Sequence, residues 1–248
     1  MKLAINDIID KHKGKRGIVV GHGPSLNNNS GRLFELKNEG YIIVGCNNWD
    51  EFYLNSPPHY WISANNEDDS KKLLPLINKY KPIWVYADTV DLVDQNWLAE
   101  NIQTDFLPYD QRHFNGKQCS ACISHGCDKY RDVNRLTIQE ELSKYSNYVG
   151  HYSGGYTVVL HSIAFSVLMG FSEIYVTGVD LDYSIGYAKN TVNRRIPVVP
   201  EYFDSRSHGG DVINDMKIIN DCAEKVGTKI YNTNKNSWWK TFEYKEIP

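Results

Sequence analysis

Short runs of β-branched and aromatic residues alternate with longer stretches of helical periodicity along most of the chain, the pattern of a parallel sheet covered by helices. The runs predict strands over 17–21, 41–45, 59–63, 82–86, 173–177 and 228–231. The 3.6-residue periodicity predicts helices over 31–38, 68–80, 92–101, 137–145, 156–169 and 211–226. The opening stretch, MKLAINDIIDKHKGKRG, reads as a short amphipathic helix, and the run Asn27, Asn28, Asn29 as a turn. Two segments, 105–132 and 182–207, keep no regular alternation. A stretch of that length inside a compact domain is usually functional or mobile, and the second predicts a lid. The expected fold class is α/β: one Rossmann-like domain over 1–248, with a mostly parallel sheet flanked by helices and a lid insertion at 182–207.

Three predicted strands end in glycine turns that carry polar groups: GHGPS after the first, GCNN after the second and GVD after 173–177. Ligands of open parallel sheets sit at the carboxyl ends of the strands, so these turns are expected to share one crevice. In GHGPSL, Gly21 and Gly23 supply conformational freedom, Pro24 stiffens the exit, and backbone amides are expected to face an anion. The turn is neither GxGxxG nor a P-loop. An ordinary tight turn explains it equally well when it is taken alone.

Asn47 and Asn48 follow the second strand, and Asn65 and Asn66 the third. Carboxamides both donate and accept, which suits a base, a ribose or sugar hydroxyls, although Asn is also a common turn residue. Ser153, with Gly154 beside it, is a natural N-cap whose helix can face a phosphate. Gly178 permits a turn, and Asp180 can accept from a ribose or from the backbone. His161, inside an apolar helix, reads as a packed core residue. In RSHGGD, His208 precedes a helix whose N-terminus keeps the imidazole neutral, as a general base requires, although a solvated histidine in the N-cap region is the simpler reading of these residues taken alone.

Composition narrows the partners. A chain of 248 residues, 41% hydrophobic, buries a full core, and a net charge of −3 leaves no basic footprint for nucleic acid. Its longest apolar stretch, 158–171, is too short to cross a bilayer and is broken by His161 and Ser162. With no secretory pattern at the start, a cytoplasmic protein is expected. The odd count of 5 cysteines fits reduced thiols. Cys119, Cys122 and Cys127, near His113 and His125, have a spacing zinc could use, but a single CxxC lacks the second pair, and a loop of small residues is the simpler reading. No metal site is expected.

The order of motifs says more than any one of them. IVVGHGPSL, VGCNN, YWISANN, SGGYTVVLHSIAFSVLMGFSEIYVTGVD, SHGGD and TKIYNTNKNSWWKTF together resemble the single-domain bacterial sialyltransferases that extend lipooligosaccharide, over residues 17–242. The same turns resemble a wider group that includes motility-associated glycosyltransferases and 6-hydroxymethylpterin diphosphokinases. The sialyltransferase resemblance implies a GT-A-variant fold and a pocket for a CMP-activated sugar at Gly21, His22, Gly23, Pro24, Ser25, Asn47 and Asn65, with Ser153 and Gly154 near the phosphate and Gly178 and Asp180 alongside. It further implies Tyr183 and Tyr187 as lid hydroxyls on the leaving phosphate and His208 as the base that takes the acceptor proton, with inversion and no required cofactor.

Two positions depart from that family's pattern: His22 stands where it carries Asn, and Gly150 where it carries a phosphate-side Arg. Arg194 or Arg195 in the lid can supply that charge. The implied partners are a nucleotide-sugar donor and a glycan acceptor, with peripheral membrane association and self-association left open. The wider resemblance implies an alternative, pyrophosphate transfer from ATP with magnesium held by the GVDLD turn, and a nucleotide-binding module without catalysis is the remaining reading.

Overall fold

A computed structural model describes residues 1–47, 53, 56–63, 67–87, 97, 100–109, 158–180, 209–237 and 240–248. Its centre is an eight-stranded sheet built from β1 (Arg16–Val20), β2 (Ile42–Cys46), β3 (Tyr60–Ser63), β4 (Ile83–Ala87), β5 (Phe106–Tyr109), β6 (Glu173–Thr177), β7 (Lys229–Asn232) and β8 (Glu243–Tyr244). The order across the sheet is β5-β4-β3-β2-β1-β6-β7-β8, and every neighbouring pair is parallel. The chain thus winds outward from β1 in one direction and resumes on its other side with β6. That reversal between β1 and β6 is the topological switch point of a doubly wound, Rossmann-like α/β fold.

The sequences of the central strands explain their position. IIVGC in β2 is buried at every residue and RGIVV in β1 at all but Arg16, because each strand is covered on both faces. Of the helices among the described residues, α1 (Leu26–Asn38) and α2 (Glu67–Tyr80) lie on one face, contributing Leu33, Leu36, Leu73 and Ile77 to its core. Trp61 and Trp84 meet within that core as a tilted pair, 5.4 Å between ring centroids. On the other face, α3 (Val158–Leu168) and α4 (Gly209–Lys225) contribute Leu160, Ile163, Phe165, Met216 and Ile219. Helix α3 is apolar all round and almost wholly buried; the hydroxyls of Ser162 and Ser166 donate back to the carbonyls of Val158 and Ser162 at 2.9 and 2.7 Å. His161 is buried in it, as a core residue.

Several expectations need correction. The first residues form a three-residue 3-10 turn (Ile5–Asp7) and further turns, not an amphipathic helix. Their amides are used elsewhere: Asp10, His12 and Gly14 donate to the carbonyls of Leu168, Met169 and Gly170, satisfying acceptors that the end of α3 leaves open. Asn27, Asn28 and Asn29 are helical, since α1 begins at Leu26. Strands β5 and β8 were not expected. Pro108 is tolerated in β5 because that strand is at the edge, where Leu3 and Met1 complete its hydrogen bonding with Phe106. Of the helix expected over 92–101, Trp97, Glu100 and Asn101 are helical. The rest of it, the expected helix over 137–145, and the irregular segment and lid over 110–132 and 182–207 lie outside the described residues.

Candidate functional site at the β1–β6 switch point

In a wholly parallel sheet the connecting helices run antiparallel to the strands, so α1, α2, α3 and α4 all begin at the carboxyl edge where the glycine turns lie. The turns after β1 and β6 are knitted together there. Gly21 donates its amide to Thr177 O at 2.8 Å, and Gly23 to Gly178 O at 2.6 Å. The approach is close enough to demand glycine on both sides. A Cβ on Gly178, whose φ is +68°, would meet the carbonyl carbon of Gly21 at 2.8 Å, and one on Gly23 would meet the Asp180 carboxyl carbon at 2.9 Å.

Asp180 is the hub of this arrangement. It is 6% exposed, and its Oδ2 accepts the Ser25 amide at 2.9 Å at the start of α1. Its Oδ1 accepts Nδ2 of Asn234, from the turn after β7. Asn234 in turn accepts the Asn236 amide at 3.0 Å through Oδ1, and Ser237 donates its hydroxyl to Val179 O at 2.7 Å. Three strand-end turns are therefore joined through one carboxylate. Asn29 on α1 adds a bond from Nδ2 to Thr177 Oγ1 at 3.0 Å.

The side toward β2 is built differently. His22, 8% exposed, donates from Nε2 to the Cys46 carbonyl, and the Cys46 thiol donates to Val20 O at 3.1 Å. The His22 contact fixes the Nε2–H tautomer. Asn47 leaves β2 with φ +49°, a left-handed conformation that Asn adopts more readily than most residues, and gives its amide to Ile62 O at 2.8 Å. Gly21, His22, Gly23, Pro24, Ser25, Asn47, Gly178 and Asp180 thus converge on one edge of the sheet.

Asn65, Ser153, Gly154, Tyr183, Tyr187, Arg194, Arg195 and His208 lie outside the described residues, as do Cys119, Cys122 and Cys127. Helix α4 begins at Gly209, directly after His208 in the chain. Asn234, Ser237, Thr177 and Asn29 were not expected as contributors. The alternation of Asn232, Asn234 and Asn236 carried a signal of successive side-chain turns, since each of the first two accepts an amide two residues on.

The β1 turn gives the amides of Gly21, Gly23, Ser25, Leu26, Asn27 and Asn28 to protein acceptors, and Pro24 has none, which is the arrangement of the ordinary tight turn that also explained its sequence. Among the described residues, no group of three His, Cys, Asp or Glu side chains could hold a metal ion. No helix there is long and apolar enough to cross a membrane.

Three strongly shifted titratable groups among the described residues stand at the opposite edge. His12 is lowered to about 4, chiefly by burial and then by Lys15 and Lys11; His59 is lowered to about 4 by burial, then Lys37, His12 and Lys15. Burial raises Tyr60, which shares a 2.8 Å hydrogen bond with His12, to about 12. A cavity of about 510 Å³ also opens on that edge, beside Lys13, Gly170, Phe171 and Lys225. Ser172 and Thr228 in its wall already donate to Gly14 O and Phe171 O, so it is a seam between the N-terminal segment and the helix ends.

No protein family matches the chain in sequence, and no curated protein does. Among solved structures, the chain is similar to a MAf glycosyltransferase from Magnetospirillum magneticum AMB-1, with a TM-score of 0.53 and 12% identity. The match covers 96% of this chain and 35% of that one, so the chain spans about a third of its length. At that identity the likeness is one of fold: the sheet and helices described above are arranged as in that glycosyltransferase.

Proposed function

We propose that the chain is an inverting glycosyltransferase that takes a sialic-acid-like sugar from a CMP-activated donor and gives it to a glycan acceptor. The observation that carries this reading is the convergence of the β1, β2 and β6 turns at the switch point, where doubly wound sheets bind nucleotides. The fold likeness to a glycosyltransferase and the order of motifs support it. In this reading the turns hold the nucleoside, and Ser153 and Gly154 lie by the phosphate. His208 takes the proton of the acceptor hydroxyl as its oxygen bonds to the anomeric carbon. The bond from that carbon to the phosphate oxygen breaks on the opposite face, and CMP leaves with the electron pair, stabilised by Tyr183, Tyr187 and Arg194 or Arg195. Hydroxyls and fixed charges suffice for such a leaving group, so the reaction requires no metal.

The test is a binding and activity panel on the whole chain. CMP and a CMP-sugar are expected to raise the melting temperature without magnesium, and ATP, UDP and GDP to leave it unmoved. His208→Ala is expected to retain CMP binding and lose transfer. Full transfer by that variant would remove the base assignment. Magnesium-dependent stabilisation by ATP with indifference to CMP would favour pyrophosphate transfer to a pterin, and CMP binding with no transfer to any acceptor would favour a binding module.

A further inference from the structure

The carboxylate of Asp180 occupies the place where a doubly wound fold ordinarily receives a phosphate. In such folds the turn after the first strand and the first amides of the following helix are free to hold an anion. Here that helix is α1, 13 residues long, and its leading amide, Ser25 N–H, is already on Asp180 Oδ2 at 2.9 Å. Asp180 is only 6% exposed, and its carboxylate accepts a second donor from Asn234. The amides of Leu26, Asn27 and Asn28 are engaged as well, donating to Gly23, Pro24 and Ser25 carbonyls at 3.0, 3.1 and 3.2 Å. A phosphate brought to the turn would displace no water from a vacant amide; it would meet a negative group.

We infer that Asp180 is a specificity-determining residue, an internal anion that closes the α1 N-terminus to phosphate, so that these turns meet a nucleotide through its uncharged nucleoside. The choice of nucleotide as ligand rests on the sugar-transfer reading; the exclusion of phosphate does not. The residue acts by position and charge. It holds the β1, β6 and β7 turns in register, and it forces the phosphate of any bound nucleotide onto other elements.

The experiment compares the whole wild-type chain with Asp180→Asn, which keeps an oxygen for the Ser25 amide and drops the charge. The probes are inorganic phosphate and, separately, cytidine, read by the 15N amide resonance of Ser25 and by melting temperature. In the wild type, phosphate is expected to leave the Ser25 resonance unmoved. In Asp180→Asn phosphate affinity, read by melting temperature, should rise on the order of tenfold or more by removal of a like charge at contact distance. Asp180→Ser, which also frees the Ser25 amide, is the second variant, and there the Ser25 resonance itself should titrate. A Ser25 resonance that titrates with phosphate in the wild type overturns the inference, and so does a folded variant with no gain in phosphate affinity. Cytidine reports on the other reading: a chain indifferent to cytidine and CMP sinks the sugar-transfer proposal while the phosphate result stands by itself.

Discussion

The amide of Gly23 donates to the carbonyl of Gly178 at 2.6 Å, and this bond makes the turns leaving β1 and β6 a single unit. Its consequence is that side chains cannot be added to either turn cheaply. Gly178→Ala combines a positive φ with a Cβ that would meet the Gly21 carbonyl carbon at 2.8 Å. The left-handed conformation and the crowding together are expected to cost about 2–5 kcal/mol. Gly14 is the control, because its φ is +76° but a Cβ there would meet nothing within 4 Å. Gly14→Ala should lose only about 1–2 kcal/mol. Urea midpoints of the two variants measure the difference, and equal losses would mean that the turns are free to separate.

Asn234 allows a sharper test of the hub. Asn234→Ala leaves one buried oxygen of Asp180 without its donor, at an expected cost of about 1–3 kcal/mol. Asn234→Asp removes the donor and adds a second carboxylate beside the first, so it should be the more destabilising of the two at neutral pH. Chemical denaturation at pH 7 gives the order. If Asn234→Asp proved as stable as the wild type, the Asp180 contact would carry no weight.

The turns were legible in the sequence because Gly21, Gly23 and Gly178 announce tight turns by the side chains they lack, although the contacts that demand glycine there run between the β1 and β6 turns. The strands β1, β2, β3, β4, β6 and β7 were legible for a related reason, being short apolar runs bounded by polar residues. What the sequence hid depends on distant partners. Helix α1 begins at Leu26, five residues before the periodicity suggests, where a carboxylate 155 positions away accepts the amide of its capping residue. The N-terminal segment resembles a helix by spacing, yet its alternate amides complete the end of α3. Strand β5, only FLPY, exists because Met1 and Leu3 bond to Phe106 along its free edge. Asn234 was unreadable as a site residue until the parallel pairing of β6 with β7 brought its turn to Asp180.

The two histidines at the opposite edge make the fold sensitive to acid. His12 and His59 titrate near 4 in the folded chain, below the ordinary value of 6.5, because burial disfavours the charged ring. His59 has a further reason: its Nδ1 accepts the Ile43 amide at 3.0 Å and loses that bond when protonated. The unfolded chain therefore binds more protons between the two values. Stability is fully present above about pH 6.5 and falls as the pH drops toward 4. Each ring adds at most about 1.4 kcal/mol per pH unit, and less here because both are partly exposed and solvent screens them. His12→Phe keeps an aromatic ring against Phe171, where the imidazole now stacks at 5.5 Å, and removes one titration. Its urea midpoint should change less between pH 7 and pH 5 than that of the wild type. An unchanged slope would place the acid sensitivity elsewhere.

His22 links the β1 turn to the end of β2, and the link predicts separate effects on stability and on ligand. Removing the ring in His22→Ala leaves the Cys46 carbonyl without the Nε2 donor and opens space at a site only 8% exposed. A stability loss of about 1–3 kcal/mol is expected from the bond. His22→Asn keeps a donor on a shorter side chain and should recover part of that loss. In the sugar-transfer reading it also restores the amide that the resembling sialyltransferases carry at this position, so CMP affinity is expected to be equal to or tighter than wild type while the melting temperature stays lower. Calorimetric titration with CMP, run beside thermal unfolding of both variants, separates the two effects. Parallel losses of stability and affinity in His22→Asn would mean that the residue serves the turn alone, with the nucleotide held without it.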